Sequence, residues 1–248
     1  MAEFLLGDTS VAAFALGAVV ILCAAVVQSS AGLGFGLVAA PFLVLIDPLY
    51  VPGTVIVLGT LVSLMSSIRD FRDVNGTYVL AGIAGRIPAA ILAAALIASI
   101  SQEVFQIVFA ALILLAVALS VWGPTVMPSI KTVTAAGVVS GFTGTLTAVG
   151  APPFALALQH APARELRATL NTVLLAGATI SLIALGIYGE FGLADVVRGA
   201  SLVPFAFLGF WLARFIIRDK RSEAMLRPAV LSLCVMACVV LLARAIIA

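Results

Sequence analysis

The stretch VQSSAGLGFGLVAAPF, residues 27–42, returns 112 positions later as VSGFTGTLTAVGAPPF, residues 139–154. In both copies a polar segment leads into glycines and then into a proline followed by phenylalanine. An offset of 120 residues aligns segments further along each copy. Chance alignment in a glycine-rich chain is the alternative, but spacing, segment order and segment lengths all agree. The repetition predicts two repeats, residues 1–123 and 124–248, each containing a broken helix.

The chain around these stretches has the composition of a membrane protein. Of 248 residues, 63% are hydrophobic and 10% are charged, whereas soluble domains carry about 25% charged residues. Apolar runs that can cross a hydrocarbon core of ~30 Å as helices recur from end to end. Ten apolar segments are predicted, at about 11–31, 34–47, 52–68, 77–100, 103–122, 132–149, 152–160, 165–188, 193–217 and 225–247.

Basic residues indicate the orientation, because they concentrate in cytoplasmic loops. Counting crossings places ten of them on one side, and acidic residues such as Asp47, Glu103 and Glu190 on the other. Both termini are then extracytoplasmic, in the plasma membrane. The expected fold is an all-α polytopic membrane protein with two inverted repeats, each a glycine-broken helix pair, re-entrant or fully spanning, plus three transmembrane helices. Such repeats are typical of secondary transporters, whose sites lie near the midplane.

The second break is predicted to place a helix N-terminus inside the bilayer. Pro152 and Pro153 suit the first turn of a short helix from Ala151 to about Gln159, since that turn does not use their missing N–H groups. The free N–H groups of residues 149–151 and the helix dipole favour an anion there. The first break offers the same arrangement from the opposite side, with three glycines that let the backbone approach a ligand: Gly32, Gly34 and Gly36.

Polar side chains gather at both breaks and are candidate substrate ligands. They are Gln28, Ser29 and Ser30 at the first break, and Thr143, Thr145 and Thr147 around Gly144 at the second. Asn171, inside a helix that follows the second break, is a further candidate. The alternative is that these groups allow close helix packing and satisfy backbone groups that the breaks free. Their clustering favours contact with a ligand.

Arg86 lies about nine residues into a predicted helix, hence ~13 Å deep at 1.5 Å per residue. An arginine at that depth costs a few kcal/mol or more unless it faces a cavity or a partner. Its paired donors match the oxygens of an oxyanion. No carboxylate is predicted at similar depth, and the aligned Ala206 is neutral. The alternatives are snorkelling to the cytoplasmic surface or bonding to the carbonyls of a broken helix.

Other function classes find little support in the residues. The three cysteines lie in apolar segments and predict no disulfide framework. His160 has few neighbours that could share a metal, so a metal site is not expected. Motifs such as HExxH, a nucleophile elbow or a phosphate-binding loop are missing from the sequence. The net charge of +2 gives no reason to expect nucleic acid, and we do not expect an enzyme.

The motifs at the two breaks resemble those of the TauE/SafE family of sulfite and organosulfonate permeases, over nearly the whole chain. The second pattern is VGAPPFALALQ, residues 149–159, followed by RELRATLN, residues 164–171. Leu37 and Ala151 stand where the family usually has a second glycine. The residues that carry over by position are Gly32, Gly34, Gly36 and Pro41 from the first signature, and Gly150, Pro152, Pro153 and Gln159 from the second.

The resemblance implies transport of sulfite, sulfonates or related sulfur oxyanions without a bound cofactor. With the residues above, it predicts a transporter that exports a small sulfur oxyanion by alternating access around a midplane site. Its partners are then a small anionic substrate and the lipid bilayer, with homo-oligomerisation left open. Two alternatives remain: an ion-coupled transporter of another small metabolite, and a membrane scaffold subunit in which Arg86 bonds only protein groups.

Overall fold

The computed structural model describes residues 11–31, 35–216 and 220–247. Within these ranges the chain forms ten α-helices and two 3-10 turns, Pro48–Tyr50 and Phe71–Asp73, and no strand. The predicted apolar segments are thus confirmed as helices, with bounds shifted by a few residues. The helices are α1 Val11–Ala31, α2 Phe35–Ile46, α3 Gly53–Asp70, α4 Gly76–Ile97, α5 Gln102–Trp122, α6 Ile130–Thr147, α7 Ala151–Ala157, α8 Ala163–Ile187, α9 Leu193–Ile216 and α10 Lys220–Ile247.

The outward-facing surface of the helices is apolar. Large hydrophobic side chains are exposed along several helices, among them Leu80, Leu92, Trp122, Ile187 and Phe207. In the part of the chain that the structure describes, six helices are long and apolar enough to cross a membrane. A helix that is apolar on both its inner and outer faces suits lipid on one side and a protein core on the other. The prediction of an all-α polytopic membrane protein is confirmed.

The helices pair in a way that is preserved when the two halves are exchanged. α4 packs along α6, and α9 packs along α1; α4 also contacts α8, and α9 contacts α3. The pairs α3 with α8 and α5 with α10 join corresponding helices of the two halves. α1 contacts α2 just as α6 contacts α7. This is the pairing that a repeat predicts, while the inverted orientation of the halves and their boundary stay predictions.

Glycines let α4 and α6 approach until their backbones touch. A Cβ on Gly137 would overlap the carbonyl oxygen of Gly82, and one on Gly141 would lie 2.6 Å from the carbonyl oxygen of Arg86. Small residues permit such close helix contacts in a bilayer, where packing rather than the hydrophobic effect holds helices together. The middle of α4, which carries Arg86, is therefore held directly against α6.

The short helices of the two broken pairs place their prolines differently. Pro152 and Pro153 lie in the first turn of α7, as predicted. Pro41 lies inside α2, where its missing N–H leaves the carbonyl oxygen of Leu37 without its helical partner. The thiol of Cys234 in α10 donates to that oxygen at 2.8 Å. A cysteine predicted to be only a small core residue thus also satisfies a backbone group that a proline frees.

Candidate functional site

Arg86 lies at the centre of the bundle. Its position is about 15 Å from the start of α4, which has 22 residues, and 3% of the residue is exposed. Nη1 of Arg86 donates to Oγ of Ser140 at 2.6 Å, and Ser140 donates to the carbonyl oxygen of Gly150 at 2.6 Å. The side chain therefore reaches toward the second break and does not snorkel to the cytoplasmic surface.

The guanidinium has no acidic partner in the described part of the chain. Ion pairs there join Arg69 with Asp70 and Arg198 with Asp195. Nε of Arg86 is buried and has no hydrogen-bond partner within the described ranges. Burying a cation without a counter-charge is costly, and leaving a buried donor unsatisfied adds about 1–3 kcal/mol. A bound anion is the ligand that would remove both costs.

Three glycines surround this guanidinium. A Cβ on Gly144 would lie 2.8 Å from Nη2, and one on Gly150 would lie 2.9 Å from Nη1. A Cβ on Gly177, in α8, would overlap Nε and Cδ of Arg86. Any side chain at these positions would displace the guanidinium, so the absence of side chains defines the space that Arg86 occupies.

Two residues of this arrangement, Gly177 and Ser140, are not predicted from the sequence. Gly177 has a weak signal, because a lone glycine inside a helical pattern often has a packing reason. Ser140 lies one helical turn before Gly144, on the same face of α6. Neither pattern predicts a contact with Arg86, because the contacts of Arg86 with Ser140 and Gly177 join three helices that are distant in sequence.

A cavity of about 40 Å³ lies beside Arg86. Both breaks line it, with Gly36 from the first and residues 148–151 from the second, together with Gln28. A single water needs roughly 10–15 Å³, so this volume suits an ion of a few heavy atoms. Arg86 is the only ionisable side chain among the described lining residues, and helices α2, α3, α6 and α8 contribute the others: Phe35, Leu37, Val55, Ile56, Gly59, Ser63, Gly144, Leu174 and Ala178.

The two breaks touch each other at this cavity. A Cβ on Gly36 would overlap the carbonyl oxygen of Ala148. Ala148 follows α6 with a φ of 60°, in the left-handed region, which glycine usually occupies at the end of a helix. The approach of the two backbones therefore requires that residue 36 carry no side chain.

We expect Gly36→Ala to lower the Tm of the purified protein, by an amount corresponding to about 1–3 kcal/mol or more, because overpacking against a backbone carbonyl forces the breaks apart. Gly59→Ala is the matched control: Gly59 lines the same cavity, but a Cβ there would meet only Cδ1 of Phe35 at 3.5 Å. Thermal unfolding of both variants in one detergent measures the difference. Equal Tm values would contradict the contact between the breaks.

The threonine hydroxyls at the second break bond protein groups. Oγ1 of Thr143 lies 3.1 Å from the carbonyl oxygen of Val149, and Oγ1 of Thr145 lies 2.8 Å from the hydroxyl of Ser181. The N–H of Val149 donates to Oγ1 of Thr147 at 3.2 Å, so the prediction that this N–H is free for an anion is wrong. The described cavity lining includes none of the three threonines. Thr143 and Thr147 satisfy backbone groups at the break, whereas Thr145 joins α6 to α8; both roles belong to the alternative interpretation.

The polar residues of the first break divide between the cavity and its surroundings. Gln28 lines the cavity, and its Nε2 donates to Oδ1 of Asn171 at 2.9 Å, so these two predicted residues lie together. Ser29 is buried against α9, where its hydroxyl lies 3.5 Å from the carbonyl oxygen of Phe210. Asn171 therefore reaches the site through Gln28, whereas Ser29 faces a helix contact.

One predicted residue is not brought to the cavity, and two others fall outside the described part of the chain. Gln159 is exposed just beyond the end of α7, and its Nε2 donates to the carbonyl oxygen of Pro124 at 3.2 Å. This hydrogen bond joins the end of α7 to the connection between α5 and α6. The prediction that Gln159 contacts the substrate finds no support in this position. Gly32 and Gly34 lie outside the described residues.

Comparison with known proteins gives one match. A family model described as sulfite exporter TauE/SafE matches residues 17–241, which include every described residue of the cavity. A search of curated proteins and a search of solved structures each return no match.

Proposed function

Because the chain belongs to the TauE/SafE family of sulfite exporters, we propose that it moves a small sulfur oxyanion, sulfite or a short organosulfonate, out of the cell. The family is one of membrane transporters, and the long apolar helices agree with an integral membrane protein. The observation that carries the proposal is the cavity between the two breaks, where Arg86 offers a positive charge that no acidic side chain of the described residues neutralises.

The guanidinium keeps donors for an oxyanion. Nη1 of Arg86 donates to Ser140, while Nε has no partner among the described residues. The bond to Ser140 orients the guanidinium plane, and the edge formed by Nε and Nη2 retains the paired donors that match two oxygens of one anion. The backbone of Gly150 and Ala151 borders the same space.

The proposal includes alternating access around this cavity, and the origin of the lining residues supports it. Its lining comes from Gln28, Gly36 and Arg86 in the first half and from Gly150 and Ala178, among others, in the second. Rocking of one repeat on the other would open such a site to either side in turn. A membrane potential that is negative inside drives a monoanion outward by about 2.3 kcal/mol per 100 mV, so export needs no coupling ion.

The alternatives fit these observations less well. A scaffold subunit has no use for a cavity beside a buried cation whose Nε lacks a partner among the residues that the structure describes. A neutral metabolite would leave the positive charge of Arg86 without a counter-charge. A cation would be repelled by it. The small volume of the cavity, about 40 Å³, also favours an ion of a few atoms.

Transport in proteoliposomes tests the proposal. Protein-dependent, saturable movement of sulfite or a short sulfonate is expected, and it should accelerate when a potassium diffusion potential makes the anion-loaded side negative. The proposal would be overturned if the protein transported neutral solutes or cations but none of the sulfur oxyanions tested.

The proposed orientation places Glu190 outside and Asp73 inside the cell. Both residues are exposed in connections between helices, so Glu190→Cys and Asp73→Cys provide accessible labelling sites. A membrane-impermeant maleimide applied to intact cells should label Glu190→Cys and should reach Asp73→Cys only after permeabilisation. The unaltered protein is the control for any labelling of its native cysteines, Cys23, Cys234 and Cys238. Labelling of both variants from the same side would contradict the orientation.

A further inference from the structure

The orientation of the Gln28 amide follows from a chain of hydrogen bonds. The backbone carbonyl oxygen of Arg167 can only accept, so the atom of Asn171 at 2.9 Å from it must be the donor Nδ2. Oδ1 of Asn171 is then the atom that faces Gln28, and it too can only accept. Gln28 must therefore present Nε2 to Asn171, which leaves its Oε1 on the other side of the amide.

Oε1 of Gln28 is a buried hydrogen-bond acceptor. It has no hydrogen-bond partner among the described residues, and 2% of Gln28 is exposed. Buried polar atoms are almost always paired, and an unpaired one costs about 1–3 kcal/mol. Gln28 lines the same cavity as Arg86. The residues around this cavity therefore hold one positive charge and, separately, one neutral acceptor without a donor among the described residues.

These two groups select the protonation state of the ligand. A dianion would bring two negative charges to the single guanidinium and would direct oxygen lone pairs at Oε1 of Gln28. The helices around the cavity supply no second cation, because Arg86 is the only ionisable side chain among the described lining residues. Ser63, also in the lining, has a hydroxyl that either donates or accepts and so does not distinguish the two states.

Resting on the proposed function, we infer that the protein binds its oxyanion as a singly charged species that carries one O–H, hydrogensulfite rather than sulfite. The charge of the monoanion is balanced by Arg86, and its O–H donates to Oε1 of Gln28. No bond is formed or broken in this step. The proton travels with the substrate, so each transported ion carries one net negative charge.

Binding to the purified protein tests the inference with three probes. Methanesulfinate has the same heavy-atom arrangement and charge as O-protonated hydrogensulfite, but a methyl group replaces the O–H; sulfate is a dianion without a donor. At mildly acidic pH, hydrogensulfite is expected to bind on the order of tenfold more tightly than methanesulfinate, the worth of one hydrogen bond to a charged ligand. Sulfate is expected to bind more weakly than either.

The pH dependence gives an independent measurement. Raising the pH to mildly alkaline values converts hydrogensulfite to sulfite, so the apparent affinity for total sulfite should fall. The affinity for methanesulfinate, which does not titrate in this range, should stay constant and reports any change in the protein. An affinity for total sulfite that rises with pH would overturn the inference.

A substitution at Gln28 identifies the acceptor. In Gln28→Met, which keeps the length of the side chain, the affinities for hydrogensulfite and methanesulfinate should agree within about twofold, because the distinguishing hydrogen bond is gone. Gln159→Met, the same exchange at an exposed glutamine that does not line the cavity, should keep the tenfold ratio. If Gln28→Met fails to fold, the comparison of probes in the unaltered protein decides the matter. Equal affinities there refute the inference alone, whereas no binding of any sulfur oxyanion refutes the proposed function instead.

Discussion

Replacing Arg86 with alanine is expected to abolish binding and transport of the sulfur oxyanion while the protein still folds. Arg86 is the only ionisable group among the described cavity residues, so the variant has no counter-charge for the anion. Truncating one partner of a buried charge pair costs about 2–5 kcal/mol, which corresponds to a loss of affinity of about 30-fold or more. Folding should be spared, because Ser140 keeps the carbonyl oxygen of Gly150 as its acceptor.

Ligand-dependent thermal shift measures the loss, and the Tm of the ligand-free variant reports folding. Arg86→Lys should restore little, since an ammonium group lacks the paired donors of guanidinium. Arg72→Ala removes the same charge from an exposed position after α3 and should leave binding unchanged. Transport by Arg86→Ala at the rate of the unaltered protein would remove the observation on which the anion proposal depends.

A single methyl group at Gly177 is expected to inactivate the protein as well. Gly→Ala in a helix interior ordinarily stabilises by roughly 0.5–1 kcal/mol, but here the new Cβ would overlap Nε and Cδ of Arg86. The guanidinium would have to leave its place beside Ser140, and the overpacking should cost about 1–3 kcal/mol. Gly186→Ala, in the same helix, is the control, because the nearest atom to a Cβ there is a ring carbon of Phe191 at 4.0 Å.

The expected contrast is a lost thermal shift and a lower Tm in Gly177→Ala, against unchanged binding and an equal or higher Tm in Gly186→Ala. A double-mutant cycle identifies the cause. In the Arg86→Ala background the side chain that collides is gone, so Gly177→Ala should no longer lower the Tm. The same decrease in both backgrounds would show that the methyl group meets something other than Arg86.

Fold class and helix positions could be read from the sequence because they depend on local properties. The length and hydropathy of each segment decide whether it crosses a bilayer, and prolines decide where α7 begins, at Pro152 and Pro153. The arginine in the middle of α4 could also be recognised as unusual, because the cost of a charge in a bilayer follows from depth alone. The orientation in the membrane and the inverted relation of the repeats stay predictions.

The composition of the site depended on how the helices rotate and pack against one another. Hydroxyl groups at the second break look equivalent in sequence. In the structure Ser140 accepts a hydrogen bond from Arg86, whereas the hydroxyl groups of Thr143 and Thr145 bond Val149 and Ser181. Which hydroxyl meets the guanidinium depends on the face that α6 turns toward α4, and glycine contacts between these helices determine that face.

Local sequence was therefore sufficient for the membrane class, the ten helices and the conspicuous Arg86. Only the packed bundle brought Arg86 together with Gly177 and left the amide oxygen of Gln28 without a donor in the described part of the chain. The physical reason is the range of the interactions. The free energy of transferring a segment into lipid is a sum over the residues of that segment. A cavity and its unpaired polar atoms, in contrast, exist only between segments that are far apart in the chain.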